Sequence, residues 1–184
     1  MNIRSELYSC IGSLINRTYN TPPPEIQSEQ LCEYYSSPSG KEHYKLLAYL
    51  STFVEGTIYD IGTYKGLSAI ALSFNQSNKV ISYDIENHLN VQCPENVVFR
   101  IGDFHGDPEL LNSPLILFDI DPHNGEKEKQ FIQYLVDKQY KGVVIFDDIY
   151  YNDDMTRFWN QVEQEKVDLT GVGHWSGTGA VVFN

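Results

Sequence analysis

From residue 57 to residue 147 short apolar runs alternate with segments of helical period, and this alternation constrains the fold more than any other feature. Thr57–Ile61, Lys79–Asp84, Asn96–Ile101, Pro114–Ile120 and Gly142–Phe146 read as strands. Between them, Leu67, Ile70, Ala71 and Phe74 recur at helical spacing, and Glu126–Lys138 reads as a helix. Strands that are apolar on both faces need cover on both faces, which predicts a mostly parallel sheet between helices. Ser39-x-x-Glu42 has the form of a capping box. It would open a helix carrying His43, Leu46, Leu47 and Leu50 on one face, with His43 a structural residue. In Asn152–Glu165, Met155, Phe158, Trp159 and Val162 form a helical stripe, with Asn152 as cap and Asp153 and Asp154 at the positive end. The last two strands, Val167–Gly173 and Gly179–Phe183, flank only a short Trp175-Ser176-Gly177 turn. Parallel neighbours need a longer crossover, so these two should pair antiparallel.

A chain of 184 residues can bury one full core. The expected division is an N-terminal extension or lid over residues 1–40 and one domain over 41–184, with a mobile tail as the alternative for the former. Thr21-Pro22-Pro23-Pro24 breaks any helix, Glu25–Tyr35 can form a short one, and Ser36 to Gly40 is turn-rich. The net charge of −12 repels polyanions, which argues against nucleic acid and anionic membranes as partners. Cys10, Cys32 and Cys93 are few, odd in number and widely spaced. With no signal-peptide pattern and no long apolar stretch, the expectation is a reduced, cytoplasmic protein.

The strand tips carry the chemistry. Tyr59-Asp60-Ile61-Gly62-Thr63-Tyr64-Lys65-Gly66-Leu67-Ser68 links the first strand to its helix, at the edge where open α/β sheets bind ligands. Gly62 allows a tight turn beside a ligand, and Gly66 allows close approach of the helix. Asp84 ends the second strand 24 residues after Asp60, where a carboxylate can accept from both ribose hydroxyls. Asp103 follows the third strand and can accept from an adenine amino group, with Phe104 or His105 beside the ring. Any one of these acids alone is read as a turn residue; the ordered set points to a nucleoside.

Asp60-x-Gly62-x3-Gly66, Asp84 and Asp103 resemble the successive cofactor motifs of class I S-adenosylmethionine-dependent methyltransferases. The final Gly179-Ala180-Val181-Val182-Phe183 resembles the antiparallel seventh strand of that fold. The resemblance covers about residues 41–184 and implies a Rossmann-like, seven-stranded sheet of order 3-2-1-4-5-7-6. It places Asp60 near the methionine amino group, Asp84 on the ribose and Asp103 on the adenine. Thr63, Tyr64, Ser68 and Asp119 join the cofactor-binding set. The chain departs from the family where Tyr64-Lys65 replaces the middle glycine of the common loop.

The fourth strand ends in Asp119-Ile120-Asp121-Pro122-His123 and the fifth in Asp147-Asp148. Carboxylates brought together there repel unless a cation or protons neutralise them, and oxygen-only ligands suit Mg²⁺ or Ca²⁺. Asp119 followed after twenty-seven residues by Asp147-Asp148 resembles the metal site of metal-dependent sugar and macrolide O-methyltransferases. It resembles that of the catechol and caffeoyl-CoA type more loosely. The resemblance implies Asp119, Asp147 and Asp148 as metal ligands and a sugar or other vicinal diol as the small-molecule acceptor. Asp121 and His123 are the candidates for the base: Asp121 by resemblance, His123 by its intrinsic pKa. His174 either lines an acceptor pocket or packs in a turn. The chain is compatible with a homodimer. Two other readings compete: a non-catalytic methyltransferase-like binding protein, and an NAD-dependent oxidoreductase, whose GxGxxG fingerprint is absent.

Overall fold

The structure, a computed structural model, describes residues 3–9, 35 and 38–184. The Pro22-Pro23-Pro24 break, the Glu25–Tyr35 helix apart from Tyr35, Cys10 and Cys32 lie outside the described residues. The helices are α1 (Ile3–Ser9), α2 (Pro38–Ser51), α3 (Leu67–Leu72), α4 (Glu126–Asp137) and α5 (Asp153–Gln161). The strands are β1 (Thr57–Ile61), β2 (Lys79–Asp84), β3 (Val97–Ile101), β4 (Leu115–Phe118), β5 (Gly142–Asp147), β6 (Glu165–Asp168) and β7 (Thr178–Phe183). They form one sheet of order β3-β2-β1-β4-β5-β7-β6. β1 to β5 pair in parallel, and β7 runs antiparallel to both β5 and β6.

The pleat explains the continuous apolar runs. Ile58, Val80, Leu115, Leu117, Val143 and Ile145 face one way and pack with Leu46, Leu47 and Leu50 of α2 and Ile70 of α3. Tyr59, Ile81, Ile116, Phe118, Val144 and Phe146 face the other way and pack with Phe131 and Leu135 of α4 and Met155, Phe158 and Trp159 of α5. A strand buried on both faces has no polar alternate positions to spare.

Several boundaries differ from expectation, and three have a clear local cause or consequence. α2 already contains Ser39, so the Ser39/Glu42 box is not what starts it, and Pro38 to Gly40, expected in a turn, are helical. α5 stops at Gln161 because Val162 turns extended (φ −62, ψ 119). The Lys166 ammonium then takes the carbonyls of Trp159 and Asn160 at 2.5 and 3.3 Å. The sixth strand comes two residues earlier than expected and ends at Asp168, whose carboxylate accepts from the Thr170 N–H at 2.9 Å and turns the chain. The Asn152 cap forms as expected, accepting from the Met155 N–H at 2.9 Å.

α1 is fastened to the sheet's amino edge. Arg4 and Tyr8 reach the carboxylate of Glu165, which opens β6, and Arg4 also donates to Asn184 at 2.8 Å. No helix among the described residues is long and apolar enough to cross a membrane.

Candidate functional site

Strand order reverses between β1 and β4, where neighbouring connections leave to opposite sides and open a crevice at the carboxyl edge. A cavity of about 910 Å³ lies there. Its wall takes residues from the tips of β1, β2, β3, β4 and β5, from α2 and α4, and from the loop before β7. All five histidines of the chain line it: His43, His88, His105, His123 and His174.

The β1 loop crosses the crevice through two left-handed glycines, Gly62 (φ 92) and Gly66 (φ 93). A Cβ on Gly62 would overlap the Asp119 carbonyl oxygen and stand 2.6 Å from its carbon, so the loop lies directly on the tip of β4. Tyr64 is also left-handed (φ 48). Its N–H donates to Asp84 Oδ2 at 2.7 Å, while Asp84 Oδ1 accepts from the Glu86 N–H at 3.3 Å. These two amides aim the Asp84 carboxylate at the end of β2. The Tyr64 ring is exposed at the mouth, with Lys65 Nζ 5.3 Å from its centre and the His88 ring 5.2 Å away.

Asp103 caps a short 3-10 turn over Phe104–Gly106 and accepts from the His105 N–H at 3.0 Å and Nδ1 at 2.6 Å. Those bonds hold its carboxyl below the usual range. The His105 ring stacks on Phe104 at 4.1 Å; Phe104 is buried and packs edge-on against Phe118 and Phe131.

Asp60 does not line the cavity. Its position in β1 has the parity of Ile58, so it points to the α3 side. There it is fully buried and accepts from Ser82 Oγ at 2.8 Å, beneath Thr63 and Ser68, whose hydroxyls are 3.5 Å apart. Its Oδ1 has no hydrogen-bond partner among the described residues. Burial outweighs the favourable influence of the Ser82, Thr63 and Ser68 hydroxyls around it and pushes its pKa up to about 6. Because the folded value lies above the unfolded one, its contribution to stability is complete below about pH 4. That contribution is lost as pH rises through about 6. The Asp60→Asn variant, which carries no such charge, should therefore gain on wild type by on the order of 3 kcal/mol between pH 4 and pH 8. Urea unfolding at the two pH values measures this, and a difference that does not change with pH would show that folding leaves the pKa of Asp60 unshifted.

At the other end the acids separate into two groups. Asp119, His123 and Asp148 bring one donor atom each within 4.8 Å of one another, and so do Asp147, Asp148 and His174. Asp148 is the shared member and is left-handed (φ 60). Its Oδ1 accepts from Ser176 Oγ and sits 3.3 Å from His174 Nδ1, while its Oδ2 faces His123 Nε2 at 3.3 Å. Asp147 keeps the parity of Val143 and Ile145 and points toward α2. It is buried, with His43 Nδ1 at 3.5 Å, His174 Nδ1 at 3.4 Å and Thr178 Oγ1 at 3.4 Å. Asp147 lines the same cavity and its charge reaches Asp119, but it groups with Asp148 and His174, while His123 groups with Asp119 and Asp148.

The electrostatics follow. Burial lowers the affinity of His43 for a proton and holds it below the usual imidazole range. Burial opposes ionisation of Asp147 too, but His43 and His174 outweigh it and keep its pKa low. At His174 the Asp147 and Asp148 carboxylates overcome burial and raise the pKa to about 10. Burial and the carboxylates of Asp147 and Asp148 push Asp119 well above its ordinary value. Asp121 is exposed on the cavity rim, its backbone carbonyl held by Lys127 Nζ at 2.5 Å and its carboxylate 3.5 Å from His123 Nε2. Sequence reasoning placed His43 in the packing and left His174 open. Both line the cavity, as does every other histidine, so the signal was the scarcity of that residue and its recurrence near strand tips.

No protein-family profile and no curated protein matches the sequence. Solved structures do. Cofactor-bound Rv0187 from MTB superposes with a TM-score of 0.54 at 15% identity, over 98% of this chain and 89% of that one. An O-methyltransferase from Bacillus cereus in complex with SAH gives 0.50 at 15%, over 98% and 91%. TomG from Streptomyces achromogenes, an O-methyltransferase involved in tomaymycin synthesis, in complex with SAM, gives 0.51 at 15%, over 97% and 89%. The chain has the class I S-adenosylmethionine-dependent methyltransferase fold, with the expected strand order.

Proposed function

We propose that this protein transfers the methyl group of S-adenosylmethionine to an oxygen of a small molecule, with a sugar or other vicinal diol as the acceptor class. The observation that carries the reading is the single cavity, with Asp84 and Asp103 at one end and Asp119, His123 and Asp148 at the other. Gly62, Thr63, Tyr64 and Gly66 form the loop over its cofactor end, and Ser68 follows in the first turn of α3. The likeness in fold to O-methyltransferases solved with SAM or SAH supports it.

The cofactor end fits a nucleoside. The two backbone amides behind Asp84 leave its carboxylate fixed toward the cavity with lone pairs free for ribose hydroxyls. Phe104 and His105 offer ring faces at the adenine end, beside Asp103. Bound there, S-adenosylmethionine supplies an electrophilic methyl group on a positively charged sulfur. The reactive end fits a divalent cation: two carboxylates and one imidazole, where burial and the nearby carboxylates of Asp147 and Asp148 raise the pKa of Asp119. Such a cation, held by Asp119, His123 and Asp148, would lower the pKa of the acceptor hydroxyl. With His123 in that role, Asp121 on the cavity rim is the base that takes the hydroxyl proton. Asp147, His174 and Ser176 do not touch the acceptor in this reading. They hold Asp148 in place.

Calorimetric titration with S-adenosylmethionine, followed by a methyl-transfer screen starting with sugars and catechols, tests the proposal. Micromolar binding and Asp84→Ala weakening it by about 10-fold or more are expected, the size of one charge-assisted hydrogen bond. Wild-type affinity in Asp84→Ala would put the nucleoside elsewhere, and the absence of binding to the intact protein would remove the cofactor from the reading.

A further inference from the structure

We infer that the Asp119–His123–Asp148 site selects a first-row transition ion such as Fe²⁺, Co²⁺ or Zn²⁺ over Mg²⁺ and Ca²⁺. This rests on the proposed assignment of those three residues to a cation, and not on methyl transfer itself.

The acids at the tips of β4 and β5 would make an oxygen-only site if all three faced one another. They do not. Asp147 is turned to the α2 side and is engaged by His43, His174 and Thr178. The third donor within reach of Asp119 and Asp148 is a ring nitrogen, His123 Nε2. Imidazole is a good ligand for Fe²⁺ through Zn²⁺ and a poor one for Mg²⁺, which prefers oxygen and gives up its waters reluctantly. One nitrogen among three donors shifts the site toward such ions relative to an all-carboxylate set.

The nitrogen is placed, not incidental. The Asn152 side-chain amide donates to the His123 carbonyl at 2.7 Å, fixing the loop after β4 to the cap of α5. The Tyr151 ring meets the imidazole edge-on at 5.6 Å. On the facing side Ser176 and His174 engage one oxygen of Asp148 and leave the other toward His123. Partners of this kind orient metal ligands and are worth about 10–100-fold in affinity. In the neighbouring group of Asp147, Asp148 and His174 the nitrogen in reach, His174 Nδ1, is already within hydrogen-bond distance of Ser176 Oγ at 2.7 Å.

The test is metal binding by the full chain after chelator treatment, read by the visible absorption of Co²⁺ and by calorimetry with Mn²⁺, Zn²⁺ and Mg²⁺. One Co²⁺ per chain is expected, bound at least 100-fold more tightly than Mg²⁺. His123→Asn should weaken Co²⁺ by at least 10-fold and Mg²⁺ by less than threefold. Asp148→Asn should weaken both ions, and circular dichroism melts of the two variants check that they remain folded. Mg²⁺ binding as tight as Co²⁺, Co²⁺ binding that ignores His123→Asn, or no binding of any ion overturns the inference. S-adenosylmethionine is titrated separately without metal. Nucleoside binding without Co²⁺ binding sinks this inference and leaves the methyltransferase reading standing; Co²⁺ binding without nucleoside binding does the reverse.

Discussion

Gly62→Ala should lower S-adenosylmethionine affinity by at least about 100-fold and destabilise the fold by about 3 kcal/mol, because backbone strain and overlap act together there. The residue is left-handed at φ 92, which alone disfavours a side chain. The new Cβ would also overlap the Asp119 carbonyl, 2.6 Å from its carbon, and stand 2.9 Å from Ile120 Cγ2. A backbone carbonyl cannot rotate away as a side chain can. The β1 loop and the β4 tip would have to part, and they carry opposite ends of the cavity. Gly102 supplies the comparison. It is also left-handed (φ 136), yet a Cβ there meets nothing within 4 Å. Gly102→Ala should cost only the conformational strain, about 1 kcal/mol. Urea unfolding and calorimetry on the pair separate the two effects. A Gly62→Ala protein that binds the nucleoside normally would show that the loop moves freely and does not cradle it.

Asp148→Ala should reduce turnover by more than about 100-fold while leaving nucleoside affinity within about threefold. The bound follows from the proposed role of Asp148 as a ligand: partners behind a metal ligand already contribute about 10–100-fold, so loss of a ligand itself should cost more. The carboxylate lost is the one residue common to both His/Asp groups, bridging His123 on one side and His174 and Ser176 on the other. Nothing in the Asp84–Asp103 end touches it. Turnover and calorimetry on the same preparation check the split; an equal fall in both quantities would mean that the two ends of the cavity are not independent.

The sheet was legible because two independent signals agreed: unbroken apolar runs and acid-tipped strand ends. β1 and β2 begin and end where those signals change, and the missing crossover before β7 forced the antiparallel pairing. The site was legible only down to which residues reach the carboxyl edge. Which way each points depends on pleat parity and on the turn that follows. Asp60 shares its face with Ile58 and disappears under the loop. Asp147 and Asp148 both line the cavity, but Asp147 keeps strand parity and meets His43, whereas Asp148, one residue on, adopts φ 60 and faces His123. Two adjacent aspartates in the sequence thereby do different work, and spacing alone cannot separate them. His43 was hidden for a related reason: its i, i+3, i+4 companions are core leucines, and only the arrival of Asp147 across the sheet gives it a polar partner.

The cavity's two ends hang from different parts of the sheet. The nucleoside end is built by the tips of β1, β2 and β3; the reactive end by β4, β5 and the loop between β6 and β7. That loop supplies His174 and Ser176 and carries Trp175 outward, 68% exposed. Changes in its outer residues can alter what reaches the reactive oxygen without disturbing a single hydrogen bond of Asp84 or Asp103. For an evolving lineage, or an engineer, the acceptor half is a replaceable module, and Gly62, where the β1 loop rests on β4, is the joint that must stay fixed.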